Sequence, residues 1–556
     1  MSATLTRRAW LGGALSLSAS ALPGCSPQEE NRWSAHWVGA SHERGHRLRT
    51  PAGPAGVPAF TGRAGVVVIG AGVAGLAAAR GLLRAGIDDL RVFELEDAAG
   101  GNSRGHAMAG MGCPLGAHYL PTPGPHAHEV AQWLEELGLR RIEHGRVVYD
   151  ERHLCHSPQE RLFLDGQWHE GLLPPPQALS ASERGRTLAQ YRRFAQAVQG
   201  WVDEQAFRIP AARAPWTPAL ARLDALPFDA WLDREGLDAP ALRWYLDYAC
   251  RDDYGAGSAQ VSAWAGLHYF ASRHGFRAPG DEDDGREGVL TWPEGNGWLA
   301  ARLAAPLGER LHTGCVALRI RELRGGVELE LWNERAQRLE RWTASHAVLA
   351  LPLFVASRLV EQPAEALRAA VRAMRHAPWL VANLHCERAP IDRGGAAPAW
   401  DNVIYRSPAL GYVDAMHQSL RPHPGPTVLT AYWALGGNGE AQAAAARRQL
   451  LDEDAGAWAQ RVLDDLSNAH PDLPRHVRRV DLMRYGHAMC IPVPGLRGHA
   501  ALRALAAPQR RLHFAHADLA GYSVFEEAFG HGTRAAADVV SAFSRAGPRS
   551  AAFSRA

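Results

Sequence analysis

The stretch VVVIGAGVAGLAAARGLLRAGIDDLRVFELEDAAGGNSRG, residues 66–105, decides the fold. Its first four residues, Val66 to Ile69, are apolar and predict a short buried strand. Gly70, Gly72 and Gly75 follow in the spacing G-x-G-x-x-G. The first glycine permits a tight turn, the second lets a pyrophosphate approach the backbone, and the third lets the next helix pack close to the strand. That helix is expected over about Val73 to Ala85, with Gly86 where a C-terminal cap belongs. Its free N–H groups and dipole suit an anion. A second strand, Leu90 to Leu95, carries Glu94 nineteen residues after Gly75, where a carboxylate can accept both ribose hydroxyls and would repel a 2′-phosphate. Three glycines could also serve a bare strand–helix turn. The strand before them, the helix after them and the acid at this distance favour dinucleotide binding, with Gly70, Gly72, Ala74, Gly75, Glu94 and Leu95 as the contacting set.

The continuation from Glu94 through Gly100, Gly101, Asn102 and Ser103 resembles the E-x-x-x-x-x-G-G-[RN]-[ST] segment of the flavin-containing amine oxidase superfamily. The resemblance implies FAD rather than NAD, with the second glycine pair passing close to the diphosphate and ribityl. Further segments are similar to that family's. Cys113 to Leu120 resembles the part that crosses the flavin and makes His118 a candidate contact. Trp292 to Leu299 resembles the return to the nucleotide domain. The strand Thr313 to Ile320 would lay Val316 against the adenine. Arg484 to Pro492 resembles a segment of the spermidine dehydrogenase-like branch and puts His487 or Tyr485 near the ring, His487 being the catalytic candidate. The close, Arg511 to Ala536, implies that Asp518 bonds the ribityl or pyrophosphate region. It also implies that the helix starting near Phe525 and Glu526 points at the flavin O2. Cys490 has only a distant likeness to the cysteine of covalently flavinylated members, so the flavin is expected to be non-covalent.

Composition narrows the chemistry. The chain has 556 residues, a net charge of +2 and 46% hydrophobic residues, an ordinary globular balance with no nucleic-acid footprint. It contains no lysine: all 60 basic residues are arginine. Schiff-base chemistry on a lysine is thereby excluded, as is the lysine that holds a water against flavin N5 in many amine oxidases. The seven cysteines include no C-x-x-C, and no metal site is expected.

Thr6-Arg7-Arg8-Ala9-Trp10-Leu11 resembles a twin-arginine export signal, followed by an apolar stretch to Leu22 too short to span a bilayer. That route carries folded proteins, consistent with a flavoprotein loaded before export. Ala19-Ser20-Ala21 offers one cleavage site, and Leu22-Pro23-Gly24-Cys25 resembles a lipobox that would anchor Cys25 through a lipid.

The expected organisation is α/β, a discontinuous Rossmann-like FAD domain interleaved with a mixed helical and β-sheet substrate domain. The signal covers 1–25 and an extended linker 26–63. The FAD domain combines 64–150, 285–352 and 495–545; the substrate domain combines 151–284 and 353–494; 546–556 is a tail. Within the substrate domain, Arg186 to Glu204, Pro227 to Tyr254, Ser258 to Phe270 and Ala441 to Ser467 have helical period, the last as one helix or a pair. Asp281 to Glu287 reads as a charged loop. The leading expectation is an exported FAD-dependent oxidoreductase that oxidises a C–N bond of an amine. Oxygen, a quinone or a periplasmic cytochrome would accept the electrons. Alternatives are a desaturase or oxidase of an apolar substrate, and an FAD-binding surface protein without turnover.

Overall fold

The computed structural model describes residues 33–49, 57–280, 288–421, 423, 425–508 and 510–546. The export signal with Arg7 and Arg8, Cys25, the 281–287 loop and the tail beyond Ala546 lie outside them.

The Val66–Ile69 run forms the buried end of a longer strand, Phe60–Ile69. Its first half is shaped by a partner far away in sequence, since Phe60–Ala64 pairs in parallel with Glu340–Ala344. A seven-stranded sheet grows from this pair. Leu90–Glu94 and then Leu311–Thr313 add in parallel on one side. On the other, Arg338–Leu349 is shared: its lower half pairs antiparallel with Val327–Asn333, and its upper end pairs in parallel with Leu512–Phe514. The helix Val73–Arg84 follows the glycine turn. Gly70 has φ +98, and a Cβ on Gly75 would fall 1.9 Å from the Gly70 carbonyl oxygen, so the close approach read from the spacing is physically required. The final helix, Phe525–Ala546, packs on the first at two small residues. A Cβ on Gly532 would lie 2.1 Å from the Ala74 oxygen, and one on Gly81 2.7 Å from the Ala536 methyl.

The second sheet has eight strands, in the order Ser34–Trp37, Val477–Ile491, Arg375–Cys386, Thr427–Ala434, Tyr412–Asp414, Asp401–Ile404, Glu160–Leu164 and Gln167–Glu170. Beside it stand the helices Ala181–Asp203, Phe228–Arg234, Pro240–Tyr254 and Ala263–Tyr269, packed around Tyr191, Phe194, Phe228, Trp264 and Phe270. Two sequence expectations change here, for 227–254 and for the lead-in, and one open choice, for 441–467, is decided. The 227–254 run is two helices, because Gly236 takes φ +62 and Pro240 starts the second. The 441–467 run is also two, Glu440–Asp452 and Ala455–Ser467, divided by Asp454, whose carboxylate caps the Ala457 N–H. The supposedly extended lead-in contains a strand, Ser34–Trp37, and a one-turn helix, His42–His46. Among the described residues, no helix is long and apolar enough to cross a membrane.

Under the first sheet, His346 and His513 are buried side by side, Nδ1 to Nε2 3.2 Å. Burial pushes both down to about 4. An unfolded chain would protonate them from about pH 6.5 downward, so their contribution to stability is present at neutral pH and lost as pH falls. Replacing both with apolar residues, His346→Phe with His513→Leu, removes that dependence. The urea midpoint of the variant is expected to fall less between pH 7 and pH 5 than that of the parent, by on the order of 1–2 kcal/mol per imidazole. Parallel slopes would refute the assignment.

Candidate functional site

One elongated cavity of about 520 Å³ runs from the glycine turn into the second domain. Gly70, Gly72, Ala74, Glu94, Leu95, Gly100, Gly101, Asn102, Ser103, Val316, Asp518, Phe525, Glu526 and His487 all line it. Of the cofactor-binding set named from the sequence, Gly75 alone does not; its place is against the Gly70 carbonyl.

At the nucleotide end, Glu94 is buried and accepts from the Ala71 N–H at 2.7 Å and the Glu96 N–H at 3.0 Å. The Gly100 N–H in turn donates to the Ala71 carbonyl, joining the two glycine segments. A Cβ on Gly72 would meet nothing nearer than the Gly101 Cα at 3.8 Å, and Gly101 itself has φ +57. The two bare backbone segments lie against one another, Gly72 bridging Gly100 and a Cβ on Gly101 falling 3.1 Å from the Gly72 Cα, and both face the cavity, a cradle suited to a diphosphate. Asn102 donates to the Ala488 carbonyl at 2.6 Å and ties the cradle to the second domain.

The strand expected to run from Arg511 to Asp518 ends at Phe514, and Asp518 sits four residues later in a 3₁₀ turn, Ala517–Ala520. It is fully buried, accepts from the Leu353 N–H at 2.9 Å and lies 3.2 Å from His376 Nε2 and 3.3 Å from His516 Nδ1. Burial alone would raise it, but the two histidines hold it well below the usual carboxylate range. The Cys490 thiol completes a group with His376 and Asp518 whose ligand atoms lie within 4.8 Å of one another. Burial raises that thiol and Cys490 does not line the cavity, so it is unsuited to a flavin link. The His487 ring lies tilted against Phe354, centroids 4.8 Å apart, and is exposed at the wall. Tyr485 donates to the Leu115 carbonyl. His118 stacks on Tyr432 with centroids 4.4 Å apart, and burial pushes it down to about 3.

The far end holds residues that the sequence reading missed. Asp252 and Asp253 occupy the last turn of Pro240–Tyr254 and line the cavity. Burial and the adjacent Asp253 charge push Asp252 up to about 7. Burial pushes Asp253 up to about 6, against the opposing charge of Arg273. Arg273 stands on a π turn, Phe270–His274, and pairs with Glu526 at 2.8 Å, both side chains buried. The helix period around 240–254 was visible; two consecutive acids at the end of an otherwise apolar face were the signal to follow.

Three comparisons bear on this geometry. The sequence profile of the flavin containing amine oxidoreductase family matches residues 73–540. The chain belongs to that family. A Mycobacterium tuberculosis protein named "putative flavin-containing monoamine oxidase AofH" is 28% identical over 291 residues, 52% of this chain and 56% of that protein. The chain thus spans about half the length of this curated relative. A solved putrescine oxidase bound to putrescine superposes with a TM-score of 0.63 at 18% identity, covering 86% of this chain and 100% of that one. Cyclohexylamine oxidase from Brevibacterium oxydans gives 0.62 at 17%, covering 87% and 100%. Identities this low carry the fold alone, which is the two-sheet α/β fold described above.

The cofactor of this family is FAD, and the cavity fits it. The cradle of Gly72 and Gly101 would take the diphosphate, Glu94 the ribose and Val316 the adenine. Two buried acceptors, Glu526 Oε2 and Asn296 Oδ1, find no protein partner although both residues line the cavity.

Proposed function

We propose that the protein is an FAD-dependent oxidoreductase that oxidises a C–N bond in an amine carrying a second basic nitrogen. The observation that carries this reading is the pair Asp252 and Asp253 at the end of the cavity. Acids in the last turn of a helix oppose its dipole, and burial raises both further. Residues placed at such a cost are explained by a cation they receive. The bound flavin supplies the hydride acceptor at N5. The protein holds one ammonium at the acids, sets the other nitrogen near the ring and excludes water with Tyr119, Trp379 and Tyr432. An apolar substrate would leave three carboxyl groups facing one guanidinium, which counts against the desaturase alternative. Nothing in this reading requires a lysine. Oxygen, a quinone or a cytochrome then takes the electrons from the reduced flavin. Export by the twin-arginine route to the periplasm, with a lipid on Cys25, is proposed from residues 6–25 alone. Arg7→Ala with Arg8→Ala should keep the protein in the cytoplasm, and Cys25→Ser should release it from the membrane fraction.

The test is an anaerobic absorbance spectrum before and after adding spermidine, putrescine or a monoamine of equal length. Bleaching by the first two at far lower concentration supports the proposal; bleaching only by apolar compounds sinks it. Readmitting oxygen then tells an oxidase from a dehydrogenase. The pH dependence has a definite sign. Asp253 and Asp252 ionise as pH rises through about 6 and about 7, and the reacting amine must lose its proton. kcat/KM for a diamine is expected to rise roughly tenfold or more from pH 6 to 8.5. A flat profile would contradict both parts of the argument.

A further inference from the structure

Three residues ahead of the nucleotide-binding strand, Arg44, Gly45 and Leu48, line the cavity. We propose that residues 33–49 form the outer wall of its adenosine end and hold FAD in place. The proposal rests on the assignment of the cavity to FAD. The segment is fastened at both ends. Ser34–Trp37 adds in parallel to Arg479–Leu482 at the edge of the second sheet, and the Arg484 guanidinium lies 4.5 Å over the Trp37 ring. The chain then turns at Gly39, φ +83, where a Cβ would come within 2.5 Å of the Met483 sulfur. It crosses to the first domain, where the Ser41 N–H donates to both Glu96 oxygens at 3.1 Å. Ser41 also caps the short helix by accepting from the Arg44 N–H. Arg44 bonds the Leu95 carbonyl and pairs with Asp97 at 2.9 Å, and Arg47 pairs with Glu334 at 2.7 Å.

The consequence lies in what this placement covers. Arg44, Gly45 and Leu48 line the same cavity as Glu94, Leu95 and Val316, the residues assigned to ribose and adenine. Arg44, Gly45 and Leu48 therefore wall the adenosine half, while the charge of Arg49 at the end of the segment reaches only as far as His487 on the other side. A cofactor held by this wall leaves only after it swings away, and a flavin lacking the adenosine half does not feel it.

That asymmetry supplies the test. FAD release from the holoenzyme is followed by the recovery of flavin fluorescence on dilution, and the apoprotein is titrated with FAD and with FMN. Arg44→Ala with Leu48→Ser leaves the 34–37 strand in place. It is expected to release FAD ten- to a hundredfold faster while FMN affinity stays within twofold. Deleting residues 1–49 should act in the same direction, and the double variant decides the matter where that deletion fails to fold. An unchanged FAD release rate overturns the proposal. So does an equal weakening of FAD and FMN, which would mark a general loosening of the fold. A parent protein that binds no FAD at all would sink the cavity assignment itself, a different failure.

Discussion

Glu94→Ala is expected to yield a protein that purifies without flavin and binds added FAD at least a hundredfold more weakly. Glu94 does two jobs. It accepts from the Ala71 and Glu96 N–H groups, and its cavity-facing position offers a carboxylate to two ribose hydroxyls. Each hydrogen bond to a charged group contributes about 1.5–3 kcal/mol, so losing two at the ribose alone corresponds to roughly two to four orders of magnitude in affinity. The two N–H groups left in a buried site cost about 1–3 kcal/mol each, which loosens the turn that carries Gly70 and Gly72. Glu94→Gln, which keeps an acceptor, should fall between. The readout is the ratio of flavin to protein absorbance after desalting, followed by titration with FAD. Full retention of flavin by the alanine variant would remove Glu94 from the site.

Asp252→Asn with Asp253→Asn should lower kcat/KM for a diamine by about a hundredfold or more, with a monoamine of the same length changed less than about threefold. Each charged hydrogen bond to the distal ammonium is again about 1.5–3 kcal/mol. The amides fill the same space, so the cavity keeps its shape. The same variant should be more stable than the parent, since it relieves two buried acids at a helix C-terminus, about 0.3–1 kcal/mol each from the dipole alone. Activity down with stability up is the pattern of groups placed for function. Equal losses for monoamine and diamine would assign these acids to general architecture instead.

The nucleotide half of the site could be read in the sequence because its geometry is local: strand, glycine turn, helix and acid lie within 30 residues and each constrains the next. Asp518 and Glu526 came from motif likeness, and the structure places both on the cavity wall. What escaped was built by long-range pairing. Ser34–Trp37 is four residues long and becomes a strand only because Arg479–Leu482 is there to receive it; nothing in its own pattern announces that. Asp252 and Asp253 escaped for another reason. On a helix read in isolation, two acids look like a solvated face, and only the packing of the second sheet and the helix against one another encloses them. The single 227–254 helix failed at Gly236 and Pro240, where punctuation was present but the period continued across it.

The contact between the first and last helices of the nucleotide domain sets the order of events during synthesis. Val73–Arg84 presents Gly81 and the Ala74 backbone to residues 532 and 536, more than 440 positions later. A ribosome that has finished the glycine turn has made the recognisable part of the motif but not its partner. Until the last helix emerges, the strip of this helix at Ala74, Ala77 and Gly81 lacks the partner that closes it. That strip stays open to aggregation for most of translation, a task for chaperones, and a chain lacking the 525–546 helix would be expected to keep it open.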